Sequence, residues 1–413
     1  MPKGKEISEG STIEFTLKEK NLKGKVLGIK DSYLNIKLEN GYNIMVIPDE
    51  IKKIINEDKI NKIEREYSRE SGQGTNISVI STGGTIVSKV DYSTGAVFPS
   101  LDISEITSRF KYIEKSYHVR SIPFLNILSE NMEPEQWLQL AHKIVEESKR
   151  SEGIVISHGT DTMTYTASAL AFLLKELSVP IIMVGSQRSS DRPSTDSYLN
   201  MEAAINFAAS DFGEVGISMH SSISDDKIAL LRGVRARKMH SSRRDAFRSI
   251  GENPVGYFQN GLVNISGPYR KKSASTSIFE KIEKRAGILY FHPGMETEDL
   301  SEYLEKKLGV VIMGTGLGHI STKFIDVIKE YTDSGRMAVM TTQCIYGTTD
   351  LDVYSTGRLL SRAGVTWAGN ILPEAALTKM MVIMGNYPDF EWQKRMVTDM
   401  RGEILQREEI GVF

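Results

Sequence analysis

Ser78–Val79–Ile80–Ser81–Thr82–Gly83–Gly84–Thr85–Ile86 is the stretch whose reading decides the fold. An apolar run ends, two glycines remove side chains, and a hydroxyl follows at Thr85. Glycines reach backbone angles closed to other residues and let a ligand approach the main chain. Two readings stand side by side: a nucleophile next to an oxyanion site, or a glycine turn that closes a strand. Taken alone, the stretch favours the turn.

The apolar run begins a long region in which strands alternate with amphipathic helices. Strands are predicted at Ile77–Ile80, Gly153–Ser157, Ile181–Val184 and Val215–Met219. Met163, Ala167, Leu170, Ala171 and Leu174 have the spacing of a helix with one buried stripe. Such repetition predicts a mostly parallel sheet covered by helices, with ligands bound outside the carboxyl ends of the strands. A second, smaller α/β unit follows the polar stretch Tyr269–Arg285, with strands at Ile288–Phe291, Val310–Met313 and Met337–Thr341. The first fifty residues have a different texture: short alternating runs at Thr12–Leu17, Leu22–Ile29, Tyr33–Leu38 and Tyr42–Ile47, with a hairpin signal at Asn40–Gly41. The expected division is a small antiparallel β-barrel over 1–51, a linker over 52–75, a larger α/β domain over 76–272 and a smaller one over 286–413.

Composition narrows the class of function. The chain has 413 residues, 40% hydrophobic and 25% charged, with a formal net charge of −2, so no global basic field recruits nucleic acid or an anionic membrane. A single cysteine, Cys344, excludes an internal disulfide and suits a reducing compartment. No apolar run approaches the roughly 18 residues that span a bilayer. The expectation is a cytoplasmic enzyme or enzyme subunit.

Two further stretches could carry chemistry. Ser157–His158–Gly159–Thr160–Asp161–Thr162 follows a strand on the same rim as Thr85. There Asp161 or Thr162 could cap a helix, or Thr160 and Asp161 could orient a substrate and a proton carrier. Leu231–Lys238 and the arginines after it follow the strand at Val215–Met219. Lys238 is the candidate for tuning a hydroxyl, although on spacing alone a solvated lysine is the simpler reading. The cluster from Arg232 to Arg248 reads as the best local electropositive surface. Gly314–Thr315–Gly316–Leu317–Gly318–His319 has its third glycine one place early for a dinucleotide loop, so tight strand-to-helix packing is the better account. Cys344 lacks the glycines of a nucleophile elbow and reads as a buried small hydrophobe. The histidines show no metal-ligand spacing, and no metal is expected.

Thr82–Gly83–Gly84–Thr85–Ile86 and His158–Gly159–Thr160–Asp161–Thr162, with Lys238 preceding Phe247, together resemble the asparaginase/glutaminase family. The resemblance implies an asparaginase-like two-domain α/β fold, larger domain first, here preceded by the small β domain. It implies Thr85, Thr160, Asp161 and Lys238 as catalytic residues. Thr85 leads as nucleophile, with Thr160 an open alternative. It implies substrate contacts from Gly84, Tyr92, Ser129 and Gly159, with Glu130–Asn131 standing where the family has Gln–Asp. Backbone N–H groups at Gly83, Gly84 and Gly159 are candidate oxyanion donors, each worth about 3–4 kcal/mol.

The β prefix, Val90–Val97 and Ser186–Ser194 are similar to the branch of the family that serves tRNA-dependent amidotransferases. That similarity implies glutamine as substrate and ammonia as the product passed on. The receiver would be a partner amidotransferase subunit of the E type, which amidates Glu-tRNA(Gln) with ATP and Mg. This chain would need no cofactor of its own, would contact tRNA mainly through the partner, and would form a homodimer core within a heterotetramer. A free-standing L-asparaginase with an accessory domain is the alternative.

Overall fold

The computed structural model describes residues 7, 11–30, 33–38, 43–47, 49–55, 70–71, 74–83, 88–90, 97–99, 113, 116–190 and 194–409. The alternating N-terminal runs form an antiparallel sheet of five strands: β1 (Thr12–Leu17), β2 (Lys20–Lys30), β3 (Tyr33–Leu38), β4 (Asn43–Val46) and β5 (Glu50–Ile55), in the order β4-β3-β2-β1-β5. Ile13, Phe15, Val26, Leu34 and Ile36 fill its buried face, as period-two alternation dictates. Strand β5 extends to Ile55 and pairs with β1, so the sheet runs past the boundary expected at residue 51. The lysines at 52 and 53 hid this strand, because an edge strand tolerates charge. The predicted Asn40–Gly41 turn lies outside the described residues.

The next strands are β6 (Glu70–Ser71), β7 (Thr75–Ser81), the short pair β8 (Ser88–Val90) and β9 (Val97–Pro99), and β10 (Tyr117–Pro123). Helix α1 (Pro134–Glu147) leads to β11 (Gly153–Ser157), and α2 (Met163–Leu173) to β12 (Leu174–Glu176) and β13 (Ile181–Val184). After α3 (Ser197–Ala208) come β14 (Val215–His220), β15 (Ile228–Arg232), β16 (Ala236–Lys238), β17 (Phe247–Ser249), β18 (Gly256–Gln259) and β19 (Leu262–Ile265). The main sheet has the order β19-β18-β15-β14-β13-β11-β7-β10-β6. Its centre, β14 through β10, is parallel, and its margins are antiparallel. Strand β7 lies between β10 and β11, so the chain leaves it toward opposite sides. This is the switch point at which parallel sheets open a crevice.

Side chains alternate across this sheet. Ile80, Ile154 and Ile156 join the core beneath α1 and α2, while Ile77, Val79 and Val155 join the core beneath α3. The strip β20 (Ser277–Ile278) pairs with β12. The second unit holds four parallel strands, β21 (Ala286–Tyr290), β22 (Gly309–Gly314), β23 (Met337–Thr342) and β24 (Thr366–Trp367). Helices α4 (Thr297–Glu305), α5 (Ile325–Asp333) and α6 (Ser355–Arg362) cover one face. Helix α7 (Pro373–Asn386) covers the other face and packs on α2, followed by α8 (Asp389–Met396). Residues 163–173 of α2 are buried nearly all round, so the single stripe predicted from sequence is too narrow: α7 takes the face expected to meet water. Among the described residues no helix is long and apolar enough to cross a membrane.

A buried arginine ties the two α/β units together, and a buried ion pair secures the second unit. Arg235 is wholly buried and donates to the carbonyls of Ile250, Asn370 (2.6 Å) and Glu403 (3.2 Å). Lys379 and Glu403 form a fully buried ion pair. Lys379 also donates to the carbonyls of Met396 and Thr398, and the Glu403 carboxylate receives the N–H groups of Met400 and Arg401. Removing one partner strands a charge in the core, so Glu403→Ala is expected to lower the unfolding free energy by about 3–5 kcal/mol, while the double change Lys379→Met, Glu403→Leu loses less. Denaturant unfolding of the three proteins checks the order.

Candidate active site

The carboxyl ends of β7 and β11 are tied together directly. The Thr82 N–H and hydroxyl both donate to the Ser157 carbonyl, at 3.1 and 2.9 Å. Gly83 then takes φ +108°, and a β-carbon there would lie 2.4 Å from the Ile127 carbonyl oxygen, so no larger residue fits this turn. Gly84, Thr85 and Tyr92 lie outside the described residues.

Ser129 opens a short 3-10 turn, Ser129–Asn131, and is buried. Its carbonyl accepts the Thr162 hydroxyl at 2.6 Å. A β-carbon on Gly159 would stand 2.6 Å from Ser129 Cβ. Ser129 and Gly159 are therefore in contact, although thirty positions of chain separate their loops.

Thr160 is buried, whereas the Asp161 side chain is 69% exposed. Lys238 joins them: its ammonium donates to Thr160 Oγ1 at 2.9 Å and to Asp161 Oδ1 at 2.7 Å. The fold explains the position of this lysine. It ends β16 and pairs across a hairpin with Phe247 of β17, and Phe247 is anchored in the core shared by the two units. Of the two sequence readings of this loop, helix capping does not hold. Thr162 precedes α2 without capping it, and Asp161 is engaged by the lysine. The arrangement sets an ammonium between a hydroxyl and a solvent-accessible carboxylate, a set able to relay a proton.

His158 went without a role in the sequence, and the structure supplies one. It is fully buried, with Nδ1 2.7 Å from the Gly159 carbonyl. Burial pushes its pKa down to about 4, so the ring is neutral at pH 7. A carbonyl only accepts, so Nδ1 carries the hydrogen. Nε2 therefore accepts from the Thr166 hydroxyl at 3.0 Å, and that hydroxyl accepts from Trp137 Nε1 at 3.0 Å. A rigid chain from α1 through α2 thus fixes the Gly159 carbonyl beside Thr160. Residue spacing holds no trace of it, because its members come from three elements.

Several other expectations change. The arginines from 232 to 248 are partly internal, with Arg243 and Arg248 remaining about half exposed beside one carboxylate. Arg232 and Arg235 are buried, Arg232 lies beside Glu214 and Glu252, Arg237 lies 3.4 Å from Glu374, Arg243 and Arg248 share Asp245, and Arg244 pairs with Asp225. Charge runs do not reveal which members are internally compensated. Cys344 is exposed, not buried, because it follows β23 in a surface loop. Gly314–His319 is a tight turn in which Thr315 and His319 bridge.

Comparison with known proteins identifies the family. The family model "Asparaginase, N-terminal" matches residues 76–270, and "Glutaminase/Asparaginase C-terminal domain" matches residues 285–397. The D subunit of glutamyl-tRNA(Gln) amidotransferase from Thermoplasma volcanium is 46% identical, over 96% of this chain and 97% of its own length. Its counterpart from Saccharolobus islandicus is 42% identical over 98% and 95%. Among solved structures, the thermostable L-asparaginase from Thermococcus kodakarensis superposes with a TM-score of 0.74 at 29% identity, covering 80% of this chain and 99% of that one. L-asparaginase I from Vibrio cholerae gives 0.70 at 26%, covering 81% and 100%.

The neutral, buried His158 has a consequence for stability. Its folded pKa of about 4 lies below the ordinary 6.5, so its contribution is complete above pH 6.5. As pH falls from there to about 4 the unfolded state alone takes up the proton, and stability drops by about 1.4 kcal/mol per pH unit from this group. His158→Gln is expected to remove that part of the slope and leave the remaining dependence unchanged, as read from urea unfolding at a series of pH values.

Proposed function

Because the chain belongs to the asparaginase/glutaminase family, and within it to the glutamyl-tRNA(Gln) amidotransferase D-subunit branch, we propose that it is the glutaminase component of a tRNA-dependent amidotransferase. The observation that carries the reading is the Lys238 ammonium held between Thr160 Oγ1 and Asp161 Oδ1 on the carboxyl rim of a parallel sheet. In this reading Thr85 supplies the attacking hydroxyl. Its oxygen bonds to the side-chain carbonyl carbon of glutamine, the C–N bond breaks, and ammonia leaves with the hydroxyl proton. Water then cleaves the ester to glutamate and free threonine. Thr160, Asp161 and Lys238 move the protons, and the ammonium stabilises negative charge on the neighbouring hydroxyl oxygen. Ser129 and Gly159, in contact at the floor of the site, would seat the substrate together with Gly84 and Tyr92.

The ammonia would pass to the partner subunit, which would use ATP and Mg to convert Glu-tRNA(Gln) to Gln-tRNA(Gln). Two copies of this chain would form the core of a heterotetramer. With the arginines from 232 to 248 buried or facing carboxylates, most affinity for tRNA would belong to the partner, since phosphate contacts need concentrated free Lys and Arg. The superposition on L-asparaginases also favours a second reading, hydrolysis of asparagine without a partner.

Ammonia release from glutamine and from asparagine separates the two, measured for the chain alone and for the complex with charged tRNA. The expected result is glutamine hydrolysis coupled to Gln-tRNA formation in the complex. Vigorous partner-independent asparagine hydrolysis would overturn the proposal. Lys238→Ala is expected to lower glutamine-dependent turnover by about 10²- to 10⁴-fold, and Thr85→Ala to abolish it.

A further inference from the structure

The loop after β13 forms the wall behind Thr160. A β-carbon on Gly185 would lie 2.9 Å from Thr160 Cγ2 and 2.9 Å from the His158 carbonyl oxygen, so any shift of Gly185 is felt at the hydroxyl. This loop is held from behind. Asp196, wholly buried, accepts the N–H groups of Gln187 (2.9 Å) and Arg188 (3.0 Å). Asn200, also buried, donates to the Gly185 carbonyl at 3.0 Å and to Asp196 Oδ2 at 3.1 Å.

The orientation of Asn200 follows from its partners. Two acceptors on one side fix its amide nitrogen there, so its Oδ1 faces His220 Nδ1 at 2.6 Å, and that nitrogen donates. The other nitrogen of the buried His220 ring stands 3.1 Å from Asp225 Oδ1, but burial pushes the ring's pKa down, and with its hydrogen on Nδ1 the neutral ring donates nothing to that carboxylate. The same Asp225 oxygen takes Arg244 at 2.5 Å, and Arg244 also donates to the Ser194 carbonyl at the far end of the loop. Arg244 itself sits in the turn between β16 and β17, the hairpin whose first strand ends in Lys238.

We propose that His220 and Arg244 are positioning residues. His220, through Asn200, holds the Gly185 end of the segment after β13, and Arg244, through the Ser194 carbonyl, holds Ser194, so both are kept in register with the Lys238 hairpin. Neither side chain touches the Thr160 hydroxyl. They act by fixing the distance between the wall behind it and the lysine beside it, where displacements of a fraction of an ångström matter. The proposal rests on the reading of Thr160, Asp161 and Lys238 as an amide-hydrolysing centre.

The test uses the full chain with its partner subunit and two independent readouts: kinetics of glutamine hydrolysis, and hydrogen exchange at the amides of Gln187 and Arg188. Arg244→Ala and His220→Ala are expected to lower kcat by about 10- to 100-fold with KM changed less than about threefold. Exchange at both amides is expected to accelerate in each. Arg244→Lys and His220→Asn, which keep a donor near Asp225 and near Asn200 respectively, are expected to recover part of both losses. They also serve as the test proteins should the alanine variants not fold. Either readout remaining at its wild-type value overturns the proposal. Lys238→Ala runs beside them: if it retains wild-type turnover the functional reading fails, and amide exchange alone then decides whether the network holds the loop.

Discussion

The parallel pairing of β7 with β10 on one edge and β11 on the other is the constraint on which the site depends. It directs two successive crossovers to opposite sides of one strand and leaves a crevice at that strand's carboxyl end. Thr82 closes the gap by bonding to Ser157, and the Gly83 turn, the Ser129 turn and the Thr160 loop then converge around one point. A lysine reaches that point from a hairpin outside the sheet, because the pairing of Lys238 with Phe247 aims the ribbon by means of a ring sunk in the core. The chemistry is thus assembled from four segments, none of which could hold its partners alone.

The surrounding structure consists of polar groups with almost no freedom. His158, Thr166 and Trp137 form one directed chain, and Asp196, Asn200 and His220 form another. The first fixes the carbonyl beside Thr160, and the second fixes the wall behind it. Buried polar groups are costly unless satisfied, and once satisfied they specify a single arrangement.

Much of the architecture was legible in the sequence, for reasons visible in particular elements. Gly153–Ser157 and Ile181–Val184 are continuous apolar runs because both of their faces are covered. β1 and β3 alternate because their sheet has one buried face. Glu50–Ile55 was missed because its lysines obscure the pattern at an edge. The site was legible only in part: Thr160, Asp161 and Lys238 meet as expected, while Thr85, Gly84 and Tyr92 lie outside the described residues. The roles of His158 and Asn200 were invisible because they arise from contacts between elements. The arginine cluster misled because Arg235 has the same letter whether it faces water or three backbone carbonyls.

The lock between the two α/β units also has a bearing on synthesis. The carbonyls that Arg235 reaches at Asn370 and Glu403 are made well after the residues of the first unit. Domains form as they emerge from the ribosome, so the first unit is complete in length while these internal partners are still to be translated. Its arginine then has the Ile250 carbonyl but still lacks those of Asn370 and Glu403, and α2 must wait with the face that α7 will cover still wet. The nascent chain therefore passes through a stage in which both polar networks behind the site are complete in sequence while the seam between the two units is not, and docking of the units is deferred until residues 370–403 are available.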